Sequence, residues 1–183
     1  IEQGKVLEHE AKPIGIVTGI AAPERFYVTI HGNADHSGAT PMNLRHDALC
    51  GASKIILGIE EIASMQEEPP VVGTVGVVEV MPGAMNVIPG AVKLGVDIRS
   101  ISKVARDSVV TLIKEFIDVI ADKRGLSYTI EPIAQDHPVA MHPVMIREIE
   151  EAVKSVGVDY MTMPSGAGHD AMHWADVVPT GMI

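Results

Sequence analysis

Between Ala91 and Ser100 every second residue is a branched aliphatic: Val92, Leu94, Val96 and Ile98 alternate with Lys93, Gly95, Asp97 and Arg99. Period-two alternation puts the two sets on opposite faces of a strand, one packed against apolar neighbours and the other carrying Asp97 and Arg99 in the open. Such a strand needs helices to cover its apolar face, and two amphipathic patterns flank it. Over residues 47–65, Ala48, Ala52, Ile55, Ile59 and Ile62 step by four and three residues. Beyond Ser102, which is placed to cap a helix, Val109, Ile113, Phe116, Ile117 and Ile120 form a second stripe ending near Lys123, Arg124 and Gly125. Further strands are expected over residues 25–31, 71–81 and 128–131, the last with Pro132 marking a sheet edge. The order strand, helix, strand, strand, helix, strand is that of a ferredoxin-like βαββαβ unit, which covers one face of its sheet and leaves the other free.

On either side of this unit the pattern changes. Residues 14–20 are apolar on both faces, as in a buried strand, and residues 21–23 read as a linker. After Gln135, Pro143 sits at the first turn of a helix whose face is Ile146, Ile149, Val153 and Val156 and which Gly157 closes. A short strand at 160–163 and a small-residue turn at 165–170 leading into a helix complete the chain. The expected class is α/β (α+β). A ferredoxin-like lid and dimerisation domain, residues 22–134, is inserted between residues 1–21 and 135–183, two remnants of one incomplete α/β domain. Ile1 is no initiator methionine and Thr180-Gly181-Met182-Ile183 ends on apolar residues where a strand should run, so the chain reads as a piece of something larger.

Composition removes several classes of function. A net charge of -10 sets up a negative field that opposes phosphate backbones and anionic lipid, so nucleic acid and membrane surfaces are poor partners. No apolar run approaches the length of a membrane span, and no signal segment opens the chain. The single Cys50 excludes an internal disulfide, suits a reducing cytoplasm, and lies in a helical apolar pattern as a small core residue.

Chemistry concentrates at three places. His36 stands on a turn bracketed by Gly32 and Gly38 at the end of a strand, a rigid way to present an imidazole. Asn86 occupies the loop 82–90, with Pro and Gly at both ends, and Arg99 lies at a strand end. An imidazole, an amide and a guanidinium suit an oxyanion, a polar head and a carboxylate. His169 and His173 stand four apart, as in a zinc helix, but Asp170 replaces the usual Glu and no third ligand is close in sequence; Ser165 to Gly168 lacks the ending of a phosphate loop.

Ile1-Glu2-Gln3-Gly4, residues 32–42 around His36, Met81-Pro82-Gly83-Ala84-Met85-Asn86-Val87-Ile88-Pro89-Gly90, Asp97-Ile98-Arg99-Ser100 and residues 165–171 together resemble one family. It is the amidohydrolase branch of the dinuclear aminoacylase/carboxypeptidase metallohydrolases, which includes N-carbamoyl-L-amino-acid hydrolases, allantoate amidohydrolases and β-ureidopropionases. The resemblance implies a catalytic α/β domain with two zinc or manganese ions and a ferredoxin-like lid that also makes a homodimer. It implies that His36 reaches the partner subunit's active site and steadies the tetrahedral oxyanion, that Asn86 and Arg99 hold the substrate carboxylate, and that Gln3, Arg25 and the Gly168 backbone line the pocket for a small ureido substrate. The family's metal-ligand histidine precedes Ile1 and its other metal ligands and general-base glutamate also fall outside this sequence, so no metal is expected on these 183 residues and no hydrolysis by them alone. A dipeptidase or aminoacylase of the same superfamily, or a stand-alone dimerisation module, are the rival readings.

Overall fold

The computed structural model describes residues 4–183. In chain order the elements are α1 (Val6–His9), β1 (Ile14–Ile20), β2 (Ala22–His31), a 3-10 turn (Met42–Leu44), α2 (Ala48–Ser64), β3 (Val71–Met81), β4 (Ala91–Ser100), α3 (Lys103–Arg124), β5 (Ser127–Gln135), β6 (Val139–Ala140), α4 (Pro143–Ser155), β7 (Tyr160–Ser165) and α5 (Ala171–Ala175). They form two compact units: one of residues up to Ala22, Arg99–Lys103 and Asp136–Ile183, the other of Pro23–Ile98 and Val104–Gln135.

In the second unit the local signals act as the sequence implies. Asp47 starts α2, its carboxylate accepting the N–H groups of Leu49 and Cys50 at 2.9 and 3.0 Å, two donors that a helix start otherwise leaves unpaired. At the other end of the unit Gly125 closes α3 at φ 61°, with Gly125 N–H donating to Asp122 O and Leu126 N–H to Ala121 O in a Schellman arrangement. The four-stranded sheet runs β3-β4-β2-β5, the ferredoxin-like order with the first and third strands of the unit at the centre. Val92, Leu94, Val96 and Ile98 of β4 and Phe26, Val28 and Ile30 of β2 pack with Ile55 and Ile59 of α2 and Ile113 and Ile117 of α3. Burial of each such side chain contributes about 1.5–3 kcal/mol. β2 and β5 pair antiparallel from Glu24↔Gln135 to His31↔Ser127, with a register shift between Arg25 and Phe26. Pro132 sits opposite Phe26 on β5, an edge strand, where its missing N–H interrupts no central ladder.

The first unit holds a three-stranded sheet, β6-β1-β7. β1 is parallel to β7, from Ile14↔Tyr160, and antiparallel to β6. Val17, Ile20, Met141 and Met182 form its core. His142 caps α4, its Nδ1 accepting the Val144 N–H at 3.3 Å, and Pro143 follows in the first turn. The hydroxyl of Tyr160 and the ammonium of Lys154 both donate to Glu150, at 2.6 and 2.8 Å. No helix among the described residues is long and apolar enough to cross a membrane.

Two local expectations are corrected. Residues 21–23 hold the boundary between the two units but are not irregular: β2 begins at Ala22, which is fully buried. Cys50 is exposed, and not a core residue. At 100° per residue it points away from the Ala48, Ala52, Ile55 stripe, and partial burial, followed by the Asp47 carboxylate, pushes its thiol above the ordinary range. β6, two residues long, carries too short a pattern to read from sequence.

Candidate functional site

The turn that carries His36 is stitched at both ends. Gly32 N–H donates to Gly90 O at 2.8 Å and Asn33 N–H to His46 O at 2.9 Å. A Cβ on Gly32 would overlap the His46 carbonyl oxygen, so the close approach requires glycine. Further on, Ile88 N–H donates to Asp35 O at 2.8 Å and Ser37 N–H to Asn86 O at 3.0 Å, around an isolated antiparallel bridge between His36 and Val87. The two loops, distant in sequence, therefore form one platform that brings His36 and Asn86 together. Arg45 braces it, Nε donating to Thr40 O at 3.0 Å and Nη2 to Ser37 O at 2.5 Å.

The His36 ring itself is exposed, and its Nδ1 accepts the N–H of Gly38 at 3.1 Å. An accepting Nδ1 carries no proton, so the neutral ring holds its proton on Nε2 and presents a donor outward. The Asn86 side chain is also exposed and makes no hydrogen bond among the described residues. The platform thus offers an imidazole N–H and an unengaged amide to a polar ligand.

The remaining candidates are engaged elsewhere. Arg25 Nε donates to Asp97 Oδ2 at 2.7 Å. Arg99, which groups with the first unit, donates from Nη1 to Gly166 O at 3.2 Å. That bond ties Arg99 to the turn containing Gly168, whose shape is also held by Ser165 Oγ donating to Ala167 O at 3.0 Å. Gly168 is exposed and lines an open cavity of about 450 Å³ with His137, His169 and Asp170. A Cβ at Gly168 would meet only Met172 Sδ, at 3.8 Å, so the backbone there is approachable. Gln3 lies outside the described residues.

The histidine pair fails as a helical metal site. His169 lies ahead of α5, and its Nδ1 accepts the Ala171 N–H at 3.0 Å. Among the described residues no group of three or more His, Cys, Asp or Glu side chains is placed to hold a metal ion. The described residues do not fit a two-metal centre.

Arg106 carries no motif that the sequence pattern would single out. Its side chain is fully buried, with Nη2 3.1 Å from Asp107 Oδ1 and Nε 3.8 Å from Glu24 Oε2. The available signal was its place three residues before Val109 and seven before Ile113, inside the apolar stripe of α3, where a charge must be paired to be tolerated.

The four-stranded ferredoxin-like sheet carries both helices on one face, and the chain belongs to the peptidase dimerisation domain family, whose model matches residues 25–124. Across all 183 residues it is 52% identical to an uncharacterized hydrolase of Haemophilus influenzae and covers 44% of that protein. It is 42% identical over the same span to the N-carbamoyl-L-amino acid amidohydrolase of Geobacillus stearothermophilus, again covering 44% of it. A crystal structure of an amidase of the hydantoinase/carbamoylase family from Burkholderia multivorans matches with a TM-score of 0.95 at 37% identity, over 100% of this chain and 44% of that one. The chain therefore spans less than half the length of the relatives it matches. Their names agree with the amidohydrolase branch that the motifs resemble.

Proposed function

We propose that the chain serves as the lid and part of the catalytic domain of a metal-dependent amidohydrolase that cleaves the carbamoyl C–N bond of N-carbamoyl-L-amino acids, working as a homodimer. The observation that carries this reading is the His36 ring, held with Nδ1 as acceptor and Nε2 free beside the open Asn86 amide. Attack on a carbamoyl carbon builds negative charge on the former carbonyl oxygen, and a fixed N–H donor stabilises that charge more than it stabilises the substrate. In this reading His36 supplies the donor across the dimer, Asn86 and Arg99 hold the substrate carboxylate, and Arg25, Gln3 and the Gly168 backbone complete the pocket. Two divalent ions, zinc or manganese, held by residues outside this sequence, would supply the activated water. The similarity to a named carbamoyl amino acid amidohydrolase along the entire chain supports the substrate class. The homodimer reading rests on the family and on β3, an edge strand whose Val72, Val77, Val78 and Met81 are exposed.

A substrate panel on the complete enzyme tests the proposal. N-carbamoyl-L-amino acids should be turned over in preference to allantoate and to dipeptides. Preference for allantoate would reassign the substrate within the ureido class, and preference for a dipeptide would overturn the reading.

A further inference from the structure

In a chain of net charge -10, three of the 14 lysines and arginines converge on one concavity. Arg45, His46, Lys123, Arg124 and Asn43 line it around Gly125, with a volume of about 380 Å³. Arg124 is half-buried; its Nε is inaccessible to solvent and has no hydrogen-bond partner. Its guanidinium makes no ion pair among the described residues, and neither does the exposed Lys123 ammonium. That nitrogen packs near Gly51 of α2 and is closed to outside groups, so an anion in the concavity would pair with the outer Nη groups of the same guanidinium.

The bland explanation is that these cations balance the C-terminal dipole of α3. Three of the last four carbonyls of α3 already have donors, however. Gly125 and Leu126 N–H groups take the Asp122 and Ala121 carbonyls, and His46 Nδ1 lies 3.3 Å from the Arg124 carbonyl oxygen. The His46 ring is seated on Gly125, where a Cβ would come within 2.7 Å of it. The backbone closure thus frees the Lys123 and Arg124 side chains and fixes an imidazole at the floor. Two guanidinium groups, an ammonium and an imidazole around a small open cavity match a compact dianion, since the guanidinium fork pairs with adjacent phosphate oxygens.

We propose that this concavity is a phosphate-binding site, taking inorganic phosphate or the phosphoryl group of a small metabolite. Arg124 and Lys123 are the principal ligands, while Arg45 is shared with the carbonyls that brace the His36 loop.

The test is calorimetric titration of the 183-residue chain with inorganic phosphate at fixed ionic strength, with the phosphorus resonance as a second signal. Saturable one-to-one uptake is expected, weakened about tenfold or more in Lys123→Ala and in Arg124→Gln. Lys123 is exposed, so its variant keeps the experiment decisive even if Arg124→Gln lowers the melting temperature. Absence of saturable uptake, or uptake that Lys123→Ala leaves unchanged, would overturn the proposal. So would a response that sodium chloride reproduces at equal ionic strength, because that is screening alone.

Discussion

Arg25 and Asp97 meet across neighbouring strands, with the guanidinium Nε of one donating to the carboxylate Oδ2 of the other at 2.7 Å. The side chains retain 44% and 27% of their exposure, so water screens the pair and its contribution is that of a surface bridge. A double-mutant cycle with Arg25→Met and Asp97→Asn should give a coupling energy of about 0.2–1 kcal/mol in denaturant titration. A coupling several times larger would mean that Arg25 is held for a structural purpose and is not available to a substrate.

Removing the His36 imidazole should lower turnover of the complete enzyme by about a hundred- to a thousandfold with little change in KM, as for loss of one oxyanion donor. The tautomer can be read on the chain itself. Nitrogen chemical shifts of the neutral ring should place the proton on Nε2, and a proton on Nδ1 would contradict the role assigned to the Gly38 N–H.

Gly32→Ala drives a methyl group into the His46 carbonyl, whereas a methyl group on Gly76 would have nothing within 4 Å. The first substitution should cost about 1–3 kcal/mol as overpacking, seen as a lower urea midpoint at constant slope. The second should be close to neutral. Equal effects would mean that the platform gives way more readily than its geometry implies.

Lys12 and Asp159 pair at 2.7 Å, and the Lys12 ammonium first, then the Tyr160 N–H, hold the Asp159 carboxyl below its ordinary value of 3.8. A carboxyl depressed in the folded state stabilises the fold above the unfolded value, and that contribution is lost as pH falls through the folded one. Lys12→Met should therefore lower the melting temperature at neutral pH, and the difference from wild type should shrink as the solution is acidified through the carboxylate range. A difference independent of pH would assign the effect to packing of the Lys12 stem.

If β3 is the pairing edge, a charge on it should disfavour self-association. Light scattering should find a concentration-dependent dimer for the native chain and a shift toward monomer in Val72→Lys or Val78→Lys, whose positions are 58% and 47% exposed. A native chain that stays monomeric at high concentration would count against the edge.

The long periodic elements were legible because burial imposes their period: the β4 alternation and the α2 and α3 stripes coincide with the core of the ferredoxin-like unit. Short or polar features were not. Ala22 and Pro23 lack side chains that announce a strand, yet β2 begins at Ala22, two residues before its pairing with β5 starts at Glu24. Arg106 is buried because Glu24 and Asp107 reach it, a fact about pairing that no local pattern contains. His36 and Asn86 were legible as residue types on turns, but the bonds joining their loops run between segments some fifty residues apart and could only be seen in three dimensions. His169 falls, as expected, in the turn ahead of the helix, where its ring accepts the Ala171 N–H, so its four-residue spacing to His173 does not make a helical pair.

The pairing of Glu24 with Gln135, reinforced by the Gln135 amide donating to the Glu24 carboxylate at 3.1 Å, closes the ferredoxin-like unit at the place where the chain enters and leaves it. A module whose two ends lie side by side is transplantable: a host can accept it in a single surface loop without opening its own sheet. That gives the unit a closed outline of its own, a cassette whose first and last strands hold each other while β4, α2 and α3 fill the core behind them.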